Sequence, residues 1–137
     1  MTDLFNPPSE FSIGGFGVGR TIRFTVEPHN GAAQFTINLK TASDFAFYFF
    51  VNYKERYYVC SYTKDKILQT GKRIDDNFPF PAGKSFILQF VRDEGGINVK
   101  YGDRILTSFI PRELDSSKIR TVQIQGEVRI DLVTILH

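Results

Sequence analysis

The segment 78–83, Phe-Pro-Phe-Pro-Ala-Gly, constrains the fold of this chain more than any other stretch. Its two prolines each fix φ and lack a backbone donor, so neither belongs in a central strand. They flank Phe80 and hold it out of a β-ladder, and Gly83 supplies a φ that other residues reach only with strain. Alternating apolar residues follow over 86–90. The segment therefore predicts an aromatic corner that leads into a β-strand.

Most of the chain alternates polar and apolar side chains, and this period of two is typical of β-strands. Runs of this kind cover residues 21–26, 35–39, 45–53, 56–62, 86–90, 97–101, 105–109 and 122–135. Turn signals such as Asn30-Gly31 separate the runs. Strands at regular spacing with turns between them predict an all-β fold, a two-sheet antiparallel sandwich. Residues 111–114, Pro-Arg-Glu-Leu, favour a single helical turn.

The run over 45–53 differs from the others because both of its faces are apolar. The parity that suits the core consists of Phe45, Phe47, Phe49 and Val51. The opposite parity consists of Ala46, Tyr48, Phe50 and Asn52. A strand with one solvated face should alternate apolar and polar residues. We therefore expect this strand either to be covered on both sides or to expose an aromatic patch.

Length and composition exclude several classes of protein. At 137 residues the chain is expected to form one domain, with an N-terminal arm over 1–10 and a folded unit over 11–137. One Cys and two His argue against a disulfide framework, a metal site or a cofactor. A net charge of +2 is too small for nucleic-acid binding. No apolar run is long enough for membrane insertion, and residues 1–10 lack a signal-peptide core. We therefore expect a cytoplasmic protein, or one exported without a signal peptide.

No constellation of residues predicts catalysis, so we expect a non-enzymatic protein. Asp75 and Asp76 are adjacent, and neighbouring strand residues point to opposite faces, so these carboxylates cannot flank one bond together. His29 lies in a turn with no Cys or Ser nucleophile in a recognisable partnership. Cys60 has the parity of the core and should be inert.

An ordered set of short motifs resembles the galectins over nearly the whole chain. The motifs are Phe-Thr-Ile-Asn-Leu at 35–39, Asp44, Val59-Cys60, Phe-Pro-Phe at 78–80 with Gly83, and Ile-Gln-Gly-Glu-Val at 124–128. Each motif is a weak signal by itself, and their order is the specific one. The resemblance implies a jelly-roll sandwich, galectin- or concanavalin-like, whose concave sheet holds a sugar groove.

Galectins bind galactose with a fixed set of polar residues, and this chain departs from that set. On one strand the family has a His, an Asn and an Arg at alternating positions, where this chain has Tyr48, Phe50 and Asn52. On the next strand the family has an Asn, where this chain has Ser61. Sugar hydroxyls need directed donors and acceptors, and charge-assisted partners make the strongest bonds. The departures therefore remove most of the strong contacts.

The third element of the family set carries a Trp, a Glu and an Arg. Alignment gives Leu68 at the Trp, Gly71 at the Glu and Arg73 at the Arg, although a length difference leaves the register of residues 62–77 open. The family Trp offers a flat apolar surface to galactose, so the stacking ring is also replaced. Arg73 is the one residue of the set that is kept, and an arginine on a sheet is also commonly a solvated or cross-strand-paired residue.

The aligned residues define a candidate binding face for a glycan or glycoconjugate. This face consists of Tyr48, Phe50, Asn52, Val59, Ser61, Lys72 and Arg73. Each charged contact that is lost from such a set costs about 1.5–3 kcal/mol. We therefore expect a carbohydrate-binding module with altered glycan specificity, in which ordinary β-galactoside binding is weak or absent.

Two other interpretations of the same face stay open. Tyr48, Phe50, Tyr57 and Val59 could form an apolar surface for a protein partner, on a lectin scaffold that has lost sugar binding. Alternatively, the chain itself covers these rings, with residues 62–77 or with the N-terminal arm. In addition, the basic cluster of Lys64, Lys66, Lys72 and Arg73 would attract an acidic glycan or an acidic protein segment.

The end of the chain carries a change of parity. Val128 and Ile130 lie on one face of the last run, whereas Val133 and Ile135 lie on the other. A β-bulge would explain this change. An edge strand that packs against a second subunit would also explain it, as the terminal strands do in dimeric galectins, and we predict a homodimer through the terminal strands.

Overall fold

Two antiparallel sheets face each other in the computed structural model, which describes residues 9–111 and 116–136. The described strands are β1 (Ser9–Ser12), β2 (Thr21–Pro28), β3 (Gln34–Lys40), β4 (Phe45–Asn52), β5 (Tyr57–Ser61), β6 (Thr63–Lys64), β7 (Ile67–Leu68), β8 (Lys72–Ile74), β9 (Phe86–Asp93), β10 (Gly96–Tyr101), β11 (Arg104–Phe109), β12 (Thr121–Gly126) and β13 (Val128–Leu136). The six-stranded sheet has the order β1-β12-β3-β4-β5-β8, and the five-stranded sheet has the order β11-β10-β9-β2-β13. Strands β6 and β7 form a separate hairpin. This arrangement confirms the predicted all-β sandwich.

The core lies between the two sheets and is rich in phenylalanine. Phe47 and Phe49 of β4 both meet Phe90 of β9 edge-to-face, with ring centroids 5.0 and 5.5 Å apart. Phe80 reaches the same cluster from outside the strands, 6.1 Å from Phe49, and is only 3% exposed. The predicted aromatic corner is therefore confirmed, and Gly83 beside it has a φ of +75°.

The predicted run over 122–135 is wrong as a single strand, because it divides into β12 and β13 in different sheets. The division falls at Gly126, which has a φ of +103°. A Cβ at Gly126 would lie 2.6 Å from the backbone of Gln34 and Phe35, so only glycine fits at this crossing point. The helical turn expected over 111–114 lies, apart from Pro111, outside the described residues. A short 3-10 turn is present at Ser116–Lys118.

A β-bulge in β4 changes the predicted face of Phe45. Leu39 pairs with Phe47, and Lys40 pairs with Phe45, so Ala46 has no partner in β3. An extra residue in one strand shifts the alternation of its side chains between the two faces of the sheet. Ala46 is buried, and Phe45 lies with Tyr48 on the side of the sheet that is turned away from the core. The expectation that Phe45 belongs to the core is therefore wrong.

The two ends of the described chain lie at sheet edges. β1 begins at Ser9, so the last two residues of the expected arm pair with β12. β13 is the edge of the five-stranded sheet, and its register shifts between Ile130 and Leu132. This shift confirms the bulge as the reason for the parity change. None of the described residues belongs to a helix long and apolar enough to cross a membrane.

Candidate functional site

The outer face, the side of the six-stranded sheet turned away from the core, carries a row of four rings. Successive ring centroids from Phe45 to Tyr48 to Phe50 to Tyr57 are 6.3, 6.1 and 6.0 Å apart. The planes of Tyr48 and Phe50 lie 13° from parallel. We call these four residues the aromatic strip. It arises because β4 buries Phe47 and Phe49 on its inner parity and carries further rings on its outer parity.

The rings of the aromatic strip are half-buried and keep part of their surface accessible. Residues 62–77 therefore do not cover them completely, and any role of residues 1–8 lies outside the described residues. Partial burial raises the pKa of the Tyr48 hydroxyl, with the nearby Tyr57 as a smaller cause. Tyr48 is thus neutral at physiological pH and presents a ring and a hydroxyl.

Arg73 lies on β8, the edge strand of the six-stranded sheet, where it pairs with Val59 of β5. Its guanidinium carbon lies 3.6 Å from the centroid of the Tyr57 ring. Nε and Nη2 each lie 3.0 Å from Asp75 Oδ1, and Nη2 lies 4.0 Å from a Glu55 carboxylate oxygen. The hydrogen bond to Asp75 is the main cause that raises the pKa of Arg73. The guanidinium is therefore held in one orientation, with its side chain 49% exposed.

Asn52 and Val59 also lie on the outer face, as predicted from parity. Asn52 pairs with Tyr57, and its Nδ2 lies 3.4 Å from the Tyr57 hydroxyl oxygen. Its Oδ1 accepts a hydrogen bond of 2.9 Å from the Glu55 amide, which fixes the turn between β4 and β5. Val59 is half-buried. It pairs with Phe50 of β4 on one side and with Arg73 of β8 on the other.

Ser61 does not reach the surface, although the sequence placed it among the binding residues. It is fully buried, and its Oγ donates a hydrogen bond of 2.7 Å to the Gln69 carbonyl oxygen. A Cβ at Gly71 would lie 2.5 Å from Ser61 Cβ, so the backbone at Gly71 rests on Ser61. The segment over 69–71 therefore covers this end of the face, and Ser61 has a structural role.

Lys72 also leaves the predicted face. It pairs with Cys60, whose side chain is buried in the core, so Lys72 has inward parity at the edge strand. Its Nζ lies 3.3 Å from the Ser108 carbonyl oxygen on β11 of the opposite sheet. Lys72 thus links the edges of the two sheets. Burial raises the pKa of the Cys60 thiol to about 12, in agreement with its predicted inertness.

A polar row beside the aromatic strip was missed at the sequence level. Asn38 of β3 stands opposite Tyr48 in the register, and its Nδ2 lies 3.2 Å from Gln123 Oε1 on β12. Thr36 Oγ1 lies 3.5 Å from the same Nδ2. Asn38 is 1% exposed, and its Oδ1 has no hydrogen-bond partner among the described residues. The polar parity of β3 was the signal that would have revealed this row.

Asp44 fastens the hairpin β6–β7 to the beginning of β4. Its Oδ1 accepts hydrogen bonds from the Thr63 hydroxyl, at 2.8 Å, and from the Lys66 amide, at 2.6 Å. Thr63 Oγ1 in turn accepts a bond of 2.8 Å from the Phe45 amide. The bond from Lys66 is the main cause that lowers the pKa of Asp44. Cavities of about 390 and 320 Å³ lie around Asp44 and Phe45, at one end of the aromatic strip.

Comparison with known proteins identifies this architecture. Residues 9–135 match the sequence profile of the galactoside-binding lectin family. The solved structure of galectin LEC-6 from Caenorhabditis elegans is 25% identical, with a TM-score of 0.88 over 98% of this chain and 96% of that one. A variant of human galectin-16 is 19% identical, with a TM-score of 0.86 over 97% of each chain. A comparison with curated proteins gave no match.

The sandwich and its outer face define a lectin-type carbohydrate-binding module. The chain belongs to the galectin family, the galactoside-binding lectins, as its sequence resemblance predicted. Lectins of this family bind their ligands without transforming them.

Proposed function

We propose that this protein is a lectin that recognises a glycan through the aromatic strip, with a specificity shifted away from ordinary β-galactosides. The observation that carries the proposal is the partly exposed pair Tyr48 and Phe50 on the outer face, 6.1 Å apart. Flat rings bind the C–H faces of saccharides, because such faces are apolar. Hydroxyl groups around those faces then need polar partners nearby.

Polar groups flank the aromatic strip on both sides. On one side lies the polar row of Thr36, Asn38 and Gln123, which is joined by hydrogen bonds of 3.2 and 3.5 Å. On the other side, Arg73 uses Nε and Nη2 for Asp75, so Nη1 is left as a donor within the described structure. A saccharide stacked on Tyr48 and Phe50 would have the partly exposed Thr36 and Gln123 on one edge, held in place by the buried Asn38, and a guanidinium on the other.

The usual galactoside contacts are depleted on this face. Phe50 has no donor or acceptor in its side chain, and Ser61 is buried under Gly71. Each charged hydrogen bond that is absent costs about 1.5–3 kcal/mol. Arg73 remains, but its orientation is set by Tyr57 and Asp75. The expected affinity for lactose is therefore too low for retention on a lactose column.

A protein partner is the second candidate for the same face. Phe50, Val59 and Arg73 follow one another across β4, β5 and β8. Aromatic rings and arginine are enriched among the residues that contribute most to protein interfaces. In this alternative the scaffold of a lectin serves a protein–protein interaction.

Two binding assays separate these candidates. Lactose-agarose tests the loss of ordinary galactoside binding, and retention that free lactose reverses would contradict the proposal. A broad glycan array then compares the wild type with Tyr48→Ala. The matched control is Ile105→Ala, which truncates a side chain that is 59% exposed on the other sheet.

Reproducible glycan signals that Tyr48→Ala abolishes and Ile105→Ala keeps support the lectin. An array without signals argues against it. If affinity capture then recovers a defined protein partner that Phe50→Ser releases, the protein–protein interaction module is favoured.

A further inference from the structure

The loop between β3 and β4 separates two cavities that carry basic side chains. The cavity of about 320 Å³ is lined by the Phe45 ring together with Lys40, Lys66 and Ser43. The cavity on the other side of the loop encloses about 550 Å³ and is lined in part by Ser43, Lys118 and Arg120. We call the first of these the loop cavity. It lies at the Phe45 end of the aromatic strip.

Lys66 is fixed in place at the mouth of the loop cavity by its own backbone. Asp65 and Lys66 have φ values of 53° and 66°, which form the tight turn of the hairpin β6–β7. The Lys66 amide donates to Asp44 Oδ1 at 2.6 Å. Among the described residues, the Lys66 ammonium has no hydrogen-bond or ion-pair partner. The hairpin therefore presents an uncompensated cation beside the strip.

The carboxylate in the wall of the loop cavity is already engaged. Asp44 Oδ1 accepts bonds from Thr63 and from the Lys66 amide, so this oxygen faces the hairpin, whereas Oδ2 lies 3.5 Å from the Ser43 hydroxyl. Lys40 Nζ lies 3.1 Å from Glu10, in an exposed pair of the kind that contributes little by itself. Arg120, across the loop, has no side-chain partner within the described ranges. Two cations near this end of the strip, Lys66 and Arg120, therefore have no ion-pair partner within the described structure, while the Asp44 carboxylate keeps its charge.

The opposite end of the aromatic strip has a different balance. There Arg73 is paired with Asp75 and lies within 4.0 Å of Glu55, so its charge is compensated. The two ends of one binding face thus differ in their free positive charge. A ligand that lies along the strip would be oriented by this difference, since unlike charges attract over about 8 Å at physiological salt.

We propose that the glycan carries an anionic substituent, a sulfate ester or a carboxylate, and that this group binds in the loop cavity between Lys66 and Lys40. This inference rests on the proposed lectin function and assigns the class of its ligand. Ammonium groups form short, charge-assisted hydrogen bonds with such oxyanions. Ser43 adds a hydroxyl group to the same cavity, whereas the Thr63 hydroxyl is already engaged by Asp44. The saccharide ring that carries the anion stacks near Phe45.

The test uses the full chain and oligosaccharides printed in three forms on each of several backbones. The forms are sulfated, unsulfated with a uronic carboxylate, and unsulfated with that carboxylate reduced to an alcohol. The variant is Lys66→Gln. The matched control is Lys64→Gln, because Lys64 is exposed on the same hairpin but does not line the loop cavity.

The wild type should prefer an anionic form, and Lys66→Gln should weaken that form by roughly two- to fivefold, the size of an exposed ion pair. Lys64→Gln should leave the preference in place. If Lys66→Gln weakens binding of the sulfated form alone, the anion is a sulfate ester. If it weakens binding of the uronic form, the anion is a carboxylate.

Equal binding of charged and neutral forms, or equal effects of the two variants, overturns the anionic subsite. The lectin proposal still stands in that case if Tyr48→Ala abolishes the signals. Absence of binding to every form contradicts the lectin proposal itself.

Discussion

The guanidinium of Arg73 lies flat against Tyr57, with its central carbon 3.6 Å from the ring centroid. Asp75 holds the same group from the side through Nε and Nη2. The one residue of the family set that the alignment finds kept in this chain is thus held by neighbours that the set does not contain. It is presented as an oriented donor at the edge of an aromatic surface.

Replacement of Arg73 by lysine should impair glycan binding almost as much as replacement by alanine. An ammonium group cannot keep a flat stack on Tyr57 and two bonds to Asp75 at once. The melting temperature should change little, because exposed ion pairs contribute weakly to stability. Arg104→Lys, on the exposed edge of the other sheet, is the control. Full binding by Arg73→Lys would show that only the charge matters.

Gly71→Ala should destabilise the protein by about 1–3 kcal/mol, the usual effect of forcing an extra carbon into a packed site. The new Cβ would lie 2.5 Å from Ser61 Cβ and closer still to the Cys60 carbonyl oxygen. Urea unfolding measures the difference. Gly95→Ala is the matched control, since the nearest atom to its Cβ is the Asp93 carboxylate at 3.4 Å. Equal stability of the two variants would mean that the segment over 69–71 does not rest on Ser61.

Asp44→Asn should make the free energy of unfolding depend less on pH in the acid range. The folded-state pKa of Asp44 lies below its ordinary value, chiefly because the Lys66 amide donates to the carboxylate. Its stabilising contribution is therefore complete above the ordinary pKa and is lost as the pH falls through the folded-state pKa. Urea midpoints measured between about pH 5 and pH 2 should decline less for the variant than for the wild type. Asp103→Asn, in another turn, is the control for the removal of one surface carboxylate.

The Cys60 thiol should resist labelling in the native protein. Burial raises its pKa to about 12, and only the thiolate reacts with maleimides or with aromatic disulfide reagents. At mildly alkaline pH we expect no labelling until urea unfolds the chain, followed by complete labelling. Rapid labelling without denaturant would show that β5 opens locally.

Sedimentation equilibrium should show a dimer that dissociates on dilution. β13 is an edge strand, and its outer backbone groups have no paired strand within the described structure. Open strand edges favour pairing with a second chain. A strictly monomeric protein over a wide concentration range would contradict the homodimer.

Local pattern was sufficient for most of the sandwich and failed where the backbone is irregular. The alternation over 21–26 predicts β2 because one side chain in two must enter the core. The same rule could not place Phe45, since both parities of β4 are apolar and alternation alone does not locate a bulge. The same rule predicted one continuous strand through Gly126, because the apolar residues keep the same parity before and after the point where the chain crosses to the other sheet.

The residues predicted for the candidate binding face divide in the same way. Tyr48, Phe50 and Asn52 lie on the outer face, as their parity predicted, because they share one regular strand. Ser61 and Lys72 were placed incorrectly, because their surroundings depend on the path of residues 62–71. That path contains a hairpin with two residues of positive φ, and no periodicity encodes it.

Contact between Gly71 and Ser61 also limits which residues position 71 can accept. Position 71 is where alignment places the glutamate of the family set, and any side chain there collides with the neighbouring strand. A single substitution of Gly71 by glutamate would therefore not fit this backbone. The obstacle lies in the main chain, so a side chain at position 71 could be accommodated only if the segment over 69–71 took another path.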